Sequence, residues 1–406
     1  MSKTLDILQI APRIPWPVTD GSAIGIYHIT RAVAARGHRV TFVAYAERDA
    51  PEHAAGDMAS FCDLEIVVHD TRNSPARVLR NLFSDLPYPI SKYQSSAMFA
   101  RLDALCARRH FDIMHVDHAQ MAAYGRYVHE KYGIPYVLRE HNFETTIYRR
   151  HAERARLLPL RWYFGLQAAR LLRYETREVA VPDVVAAITR EDATEIARAR
   201  GAGEDGNEAR IMVIPAGVDC AAVRPSSAEP DPAHVVIVGP LVWAPNADAA
   251  TWFADEIWPR IAAAEPAARC TVAGLGPPRR LRARETARLR FPGFVDDYET
   301  LLRSATVMAV PLRIGGGMRV KLLEFFARGK AVVSTGIGAE GNAARADREY
   351  LRADTAADFA EAVLLLLRDE ARRRALGMAA RALVEREYDW TRIGAQFEMA
   401  YLAAIA

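Results

Sequence analysis

A repeating order of short apolar runs and longer amphipathic stretches rules out most folds for this chain. Residues 5–10 form an apolar run, 12–21 a Pro/Gly loop, and roughly 23–36 a helical pattern. Gly37 stops that helix, and residues 39–44 read as a second strand. Strand, turn and helix of this length make a βαβ unit, whose strands run parallel. Further strands are expected at 64–68, 113–116, 136–138, 184–188 and 211–214. A second series starts after the glycine-rich segment 201–208 and the Pro/Ser/acid-rich segment 224–233. It runs through strand 235–238, helix 247–264, strands 270–273 and 307–311, helix 321–327 and strand 331–334.

The expected fold is α/β, with two Rossmann-like, doubly wound parallel-sheet domains facing across a cleft. The first is predicted over residues 1–205, with a last helix, 388–406, crossing back onto it, and the second over 206–387. In open parallel sheets ligands sit beyond the C-terminal strand ends. The informative residues should therefore follow predicted strands.

Composition narrows the partners. The chain has 406 residues, half of them hydrophobic, which suits two domains with real cores. A net charge of +3 argues against a nucleic-acid partner, which needs a strongly basic face. Cys62, Cys106, Cys220 and Cys270 form no CxxC pair and read as reduced, buried thiols of a cytoplasmic protein. The first residues lack the basic start and apolar run of a signal peptide. No stretch reaches the roughly 18 apolar residues that a membrane span needs.

Four segments carry candidate chemistry. Gly21, between the first strand and helix, lets backbone amides approach a phosphate; an ordinary βα loop is the alternative. In His115-Val116-Asp117-His118, strand alternation puts His115 and Asp117 on one face and Val116 and His118 on the other. His118, the last of them, is the candidate nearest the cleft. A metal pair is a competitor there, but no third ligand stands at zinc spacing, and no metal is expected. Arg139-Glu140-His141-Asn142-Phe143-Glu144 follows another strand. Polar groups there are costly to bury unless they bind something. Glu140, His141 and Asn142 are the candidates; a solvated loop with Asn142 as helix cap is the alternative.

The most informative segment is Gly315-Gly316-Gly317-Met318-Arg319-Val320-Lys321-Leu322-Leu323-Glu324. Three glycines after an apolar strand offer unhindered amides before a helix N-terminus, which is an anion site. Arg319 and Lys321 add positive charge for a diphosphate. Glu324, a turn further on, could accept hydrogen bonds from ribose hydroxyls. Asn246, in Gly239-Pro240-Leu241-Val242-Trp243-Ala244-Pro245-Asn246, and Val295, in Pro292-Gly293-Phe294-Val295-Asp296-Asp297, are weaker substrate-binding candidates. Asn246 also reads as an N-cap, and so does the Asp296-Asp297 pair.

Taken together these residues resemble the GT-B-fold glycosyltransferases of the family-4 type, the "glycosyl transferases group 1" proteins. The resemblance runs nearly end to end. Val213-Ile214-Pro215-Ala216-Gly217-Val218-Asp219 is close to the family's IPNGVD hinge. Trp243, Pro245, Asn246 and Asp248 match a W-x-PN-x-D segment, and Gly338-Ala339-Glu340-Gly341 a late loop, of one bacterial subgroup. Tyr388-Asp389-Trp390 resembles the entry to the returning helix.

The resemblance implies a nucleotide-sugar co-substrate, UDP- or GDP-linked, and no cofactor. It implies a retaining, metal-independent hexosyltransferase acting on a glycan or lipid-linked acceptor in cell-surface polysaccharide or glycolipid synthesis. His118 then sits near the transferred sugar, the glycine loop and Lys321 hold the diphosphate, and Glu324 holds ribose as the second glutamate of EX7E. Two departures stand out. The first EX7E glutamate falls at Gly316, and the usual R…K pair after the first strand of the second domain is absent. Arg319 and Lys321 would replace that charge.

Other readings are a sugar-nucleotide epimerase or phosphorylase on the same fold, or a non-catalytic binding homologue. An epimerase would need cleft carboxylates, for which Glu140 and Glu144 are the candidates. Retention of His118, Arg319, Lys321 and Glu324 together argues against the binding homologue. Finally, arginines interleaved with leucines and aromatics over residues 149–177 suggest peripheral contact with an anionic membrane, on its cytoplasmic face. Core packing with a solvated arginine face is the alternative.

Overall fold

The computed structural model describes residues 3–18, 21–47, 56–155, 157–200, 210–225, 230–315 and 317–406. The chain divides into two units, Met1–Pro215 with Ile393–Ala406, and Ala216–Arg392.

The first unit holds a seven-stranded parallel sheet: β1 (Asp6–Ala11), β2 (Arg39–Ala46), β3 (Asp63–Val68), β4 (Ile113–Asp117), β5 (Tyr136–Glu140), β6 (Val184–Ala187) and β7 (Arg210–Val213). Its order is β3-β2-β1-β4-β5-β6-β7, so the winding reverses between β1 and β4. Alternate residues serve opposite faces. Leu8, Ile10, Met114, Val116, Tyr136 and Leu138 join one apolar cluster. His115 and Asp117 point the other way, as the alternation predicts. His115 Nδ1 meets Tyr401 Oη at 2.6 Å, and its ring lies 5.0 Å from that of Phe397. Both partners lie on the helix Trp390–Ile405.

The second unit holds a six-stranded parallel sheet: β8 (His234–Val238), β9 (Arg269–Ala273), β10 (Leu289–Gly293), β11 (Val307–Val310), β12 (Val332–Ser334) and β13 (Leu351–Arg352). Its order, β10-β9-β8-β11-β12-β13, reverses between β8 and β11. Val235, Ile237, Val307 and Ala309 pack into one cluster and Val236, Val238, Met308 and Val310 into another. A sheet apolar on both faces is what helices on both sides require.

Several expectations need correction. The domain boundary falls after Pro215 and not after 205, because β7 pairs with β6 and so belongs to the first sheet. The returning segment starts at Ile393, since Tyr388, Asp389 and Trp390 are held by the second unit. The Val218 amide donates to the Tyr388 carbonyl at 2.8 Å, and a Cβ on Gly217 would lie 2.8 Å from the Trp390 ring. Gly217 and Val218 thus pack against Tyr388 and Trp390 within the second unit. The helix expected over 247–264 starts at Ala244 and is interrupted by a π-helical turn, Phe253–Ile257, just before Pro259, which lacks an amide donor. β5 runs to Glu140, two residues beyond its expected end. Among the described residues, no helix is long and apolar enough to cross a membrane.

Candidate functional site

In each sheet several of the candidates lie where the winding reverses, whereas Val295 follows the edge strand β10. In the first unit the β1 loop leads to the helix Gly21–Ala35, with Gly21 as its first residue. β4 ends at Asp117, and His118 turns the chain with φ 71°, a conformation rarely adopted by residues with a side chain. That turn places His118 Nε2 3.0 Å from Ser22 Oγ, joining the two loops across the reversal. The His118 ring stacks on His141, with centroids 4.1 Å apart and planes 12° from parallel. The stack brings together two predicted candidates from different strands. Ser22, which bridges to it, is signalled in the sequence only by its place beside Gly21.

Beneath this stack lies a buried polar network. Arg139 donates to Asp117 Oδ1 at 3.1 Å and Gln9 to Asp117 Oδ2 at 2.7 Å, while Thr30 donates to Gln9 at 2.9 Å. Burial alone would raise the Asp117 pKa, but the nearby His115 ring, 3.4 Å away, and the charge and hydrogen bond of Arg139 hold it far below the usual carboxylate range. Arg139 is therefore a structural counter-ion inside a strand, not part of a polar loop.

Glu140, the last residue of β5, is 1% exposed, and neither carboxyl oxygen has a hydrogen-bond partner. Burial pushes its pKa well up, with the Glu175, Glu144 and Asp192 carboxylates adding to it. The Ala119 amide pulls the other way without reaching hydrogen-bonding geometry. An environment that disfavours the carboxylate form extends the pH range over which Glu140 is a neutral acid. His141 keeps part of its surface exposed, but its Nδ1 is buried without a partner. Burial, then the charges of His118 and Arg139, depress its pKa well below the ordinary histidine value. Asn142 is not the helix cap. The amides of Glu144 and Thr145 instead donate to Glu175, at 2.6 and 3.0 Å.

In the second unit the loops after β8 and β11 meet. Lys321, in the first turn of the helix Val320–Ala327, donates to the Val238 carbonyl and to Asn246 Oδ1, both at 3.2 Å. Asn246 Nδ2 in turn donates to the Pro240 carbonyl at 3.0 Å. Asn246 thus ties a loop to a lysine and is not an N-cap; the helix Ala244–Trp252 is entered from Trp243. Lys321 retains some solvent exposure, yet dense packing around its ammonium, then the charge of Arg319, lowers its pKa to about 8.

Gly315 and Gly317 have φ of 148° and 76°, which the loop needs to turn back before the helix. A Cβ on Gly315 would overlap Arg319, so the guanidinium lies directly against the loop backbone. Gly316 lies outside the described residues. Glu324, half-buried on the same helix, accepts from Tyr298 Oη at 3.4 Å. Burial raises its pKa, against the charge of Arg328. Tyr298 was not foreseen; its only signal in the sequence is its place after Asp297. Asp297 caps its helix through the Thr300 amide at 2.9 Å, as the N-cap reading of that pair predicts. Val295 packs at the edge of the apolar core, beside the exposed Phe294. Asp248 of the W-x-PN-x-D segment pairs with Arg313 at 2.7 Å. Among the described residues, no three His, Cys, Asp or Glu side chains are grouped to hold a metal ion.

Two Rossmann-like units, with parallel sheets of seven and six strands that each reverse their winding, give a GT-B architecture. Comparison with known proteins gives the family. The model described as "Glycosyltransferase Family 4" matches residues 19–222, and that described as "Glycosyl transferases group 1" matches residues 232–369. The chain belongs to glycosyltransferase family 4 and is a glycosyltransferase. No curated protein matches it in sequence. Similar solved structures include sucrose-phosphate synthase from Thermosynechococcus elongatus, 19% identical with a TM-score of 0.69 over 98% of each chain. Anabaena HepE in complex with UDP-glucose is 13% identical, with a TM-score of 0.67 over 98% of this chain and 100% of that one. TarM of S. aureus is 9% identical, with a TM-score of 0.70 over 98% and 99%. At such identities these likenesses establish the fold alone.

Proposed function

We propose that the chain transfers a hexosyl group from a UDP- or GDP-sugar to a glycan or lipid-linked acceptor, with retention of configuration and no metal. The observation that carries this reading is the junction of Lys321, Val238 and Asn246 beside the glycine loop. It puts an ammonium and a guanidinium beside a glycine-rich turn where the second sheet reverses, the place an open α/β sheet offers a diphosphate.

In this reading Arg319, Lys321 and the Gly315–Gly317 amides stabilise the charge that grows on the departing nucleoside diphosphate. They supply the positive charge a divalent metal would otherwise bring. Glu324 accepts hydrogen bonds from the ribose. Asn246 orients Lys321, and Val295 lines the donor side. On the first unit Gly21, His118, His141 and Asn142 form the acceptor side, with His118 nearest the reacting sugar. Glu140 braces the base of that group as a buried neutral acid. Catalysis is then positioning and electrostatics, with no covalent chemistry asked of the protein.

The test is a thermal-shift series with UDP-, GDP- and ADP-sugars, followed by product analysis with the donor that binds. Binding stabilises the fold by mass action, so one nucleotide class should raise Tm in proportion to the logarithm of its concentration. The product anomer, read by NMR, should match the donor. No shift with any nucleotide sugar, or an inverted product, would refute the respective part.

A further inference from the structure

The helix Leu158–Glu178 buries polar side chains beside Ala168, Leu171 and Tyr174, and leaves large apolar ones exposed at its start. Its buried side chains include Gln167, Arg170, Glu175 and Glu178. At its N-terminal end Leu157, Leu158, Leu160 and Trp162 are 63%, 78%, 46% and 63% exposed. The inward polar groups have partners. Gln167 donates to Asn81 Oδ1 at 3.1 Å and accepts from the Tyr88 amide at 2.8 Å. Arg170 donates to the carbonyls of Asn81 and Leu82, at 2.9 and 3.0 Å. These bonds clamp a neighbouring segment to the helix, and that segment exposes Leu79 and Phe83, the latter 94% open.

Single exposed apolar residues are ordinary, but six large ones on two clamped segments are not. The charge near them in sequence is mainly positive, with Asp85 exposed beside Phe83. Arg80, Arg149, Arg161 and Arg173 are exposed, and between 149 and 173 the only acidic residue is Glu153.

We propose that this surface docks the first unit on an anionic lipid bilayer. Leucines and Phe83 enter the acyl boundary, Trp162 sits at headgroup level, and the arginines extend to lipid phosphates. A second copy is the poorer occupant. A two-fold contact through the same surface would set arginine against arginine. An anionic bilayer offers the opposite charge across the whole surface. The inference needs no nucleotide and stands apart from the donor and acceptor reading above.

The experiment is co-sedimentation of the full chain, without nucleotide, with vesicles of phosphatidylcholine or of equimolar phosphatidylcholine and phosphatidylglycerol. Pelleting with the anionic vesicles at low salt, and not with the neutral ones, is expected. Arg149→Glu with Arg161→Glu should lower the partition coefficient by about fivefold for each charge removed. Leu158→Ser with Trp162→Ser should lower it roughly tenfold or more. Both pairs are exposed, so Tm should stay unchanged. Equal recovery in the supernatant with both vesicles overturns the proposal. So does unchanged binding of the Leu158/Trp162 variant, which would leave charge attraction alone. Light scattering that shows a dimer lost in that variant, with no vesicle binding, would assign the surface to a second copy.

Discussion

Lys321 Nζ lies 3.2 Å from Asn246 Oδ1, so a lysine that follows β11 is held by the first turn of the helix that follows β8. The bond crosses the point where the second sheet reverses its winding. An ammonium held by two neutral oxygens, with no carboxylate among its hydrogen-bond partners, keeps its charge available to an anion. Asn246 acts through Lys321 and is a positioning residue. Asn246→Ala should therefore weaken nucleoside diphosphate binding less than Lys321→Ala does, and a double mutant should lose less than the sum of the two. Calorimetric titration with the nucleoside diphosphate checks this, and additive losses would mean that the two residues act independently.

The lowered pKa of Lys321 gives two pH slopes of opposite sign. Below about 8 the lysine is charged in both the folded and the unfolded chain. Between about 8 and the ordinary value of 10.5 only the unfolded chain holds the proton, so this group's contribution to stability rises with pH. Diphosphate affinity runs the other way and falls above about 8, as the charge is lost. Lys330, also lowered to about 8, shares the stability slope but is not among the donor-site residues. Lys321→Met should flatten the affinity profile while leaving part of the stability slope. Isothermal titration from pH 7 to 9.5 reads it; a wild-type affinity independent of pH would contradict the role.

Glu324→Ala should raise KM for the donor more than it lowers kcat. Loss of hydrogen bonds to a charged acceptor costs about 1.5–3 kcal/mol. Tyr298→Phe, which removes only a 3.4 Å contact to the same carboxylate, should cost much less. Donor calorimetry on both variants is the measurement, and unchanged affinity in Glu324→Ala would remove the ribose assignment.

His118→Asn should lower kcat and kcat/KM together, by about a hundredfold or more if the ring supports the transition state. Nucleoside diphosphate affinity should stay near wild type. Asparagine is the useful substitution because it removes the ring and keeps a polar side chain beside Ser22. A folded variant with full activity would end the assignment.

Much of this was legible in the sequence. Alternating apolar runs and amphipathic helices identify two parallel sheets, because buried strands in such sheets carry apolar residues on both faces. The glycine loop was legible for the same reason: φ values near 148° and 76° exclude most other residues. The face of His115 and Asp117 followed from period two. What it bears on did not, since Tyr401 stands 286 residues away. Arg139 and Glu140 misled, because charged residues read as a loop, whereas here they end a buried strand. Asp117 compensates Arg139, a pairing of two strands that neither segment announces. The exposure of Leu158 and Trp162 was one of two readings that residues 149–177 left open in the sequence. Helical spacing says which residues share a face but not which face turns inward, and here Gln167 and Arg170 take the interior through hydrogen bonds.

Glu140 sets the last prediction. Its folded pKa is raised above the ordinary 4.5, so the folded chain holds a proton that the unfolded chain has lost. The stability tied to that proton is fully present below about 4.5 and declines as pH rises through the folded value. Glu175, raised to about 7, and Glu144 and Asp192, also raised, act in the same direction. His141, depressed by burial, opposes them, so wild-type stability alone does not isolate Glu140. The difference between Glu140→Gln and wild type does, because the other groups are common to both. Glutamine keeps the shape and stays neutral, and its polar atoms meet the same partnerless surroundings. The variant should match or fall slightly below wild type near pH 5 and exceed it at pH 8. Each kcal/mol gained should raise Tm by roughly 2–4 °C. Scanning calorimetry at the two pH values decides it. An equal difference at both would mean that the Glu140 carboxyl holds its proton no more tightly in the folded chain than in the unfolded one.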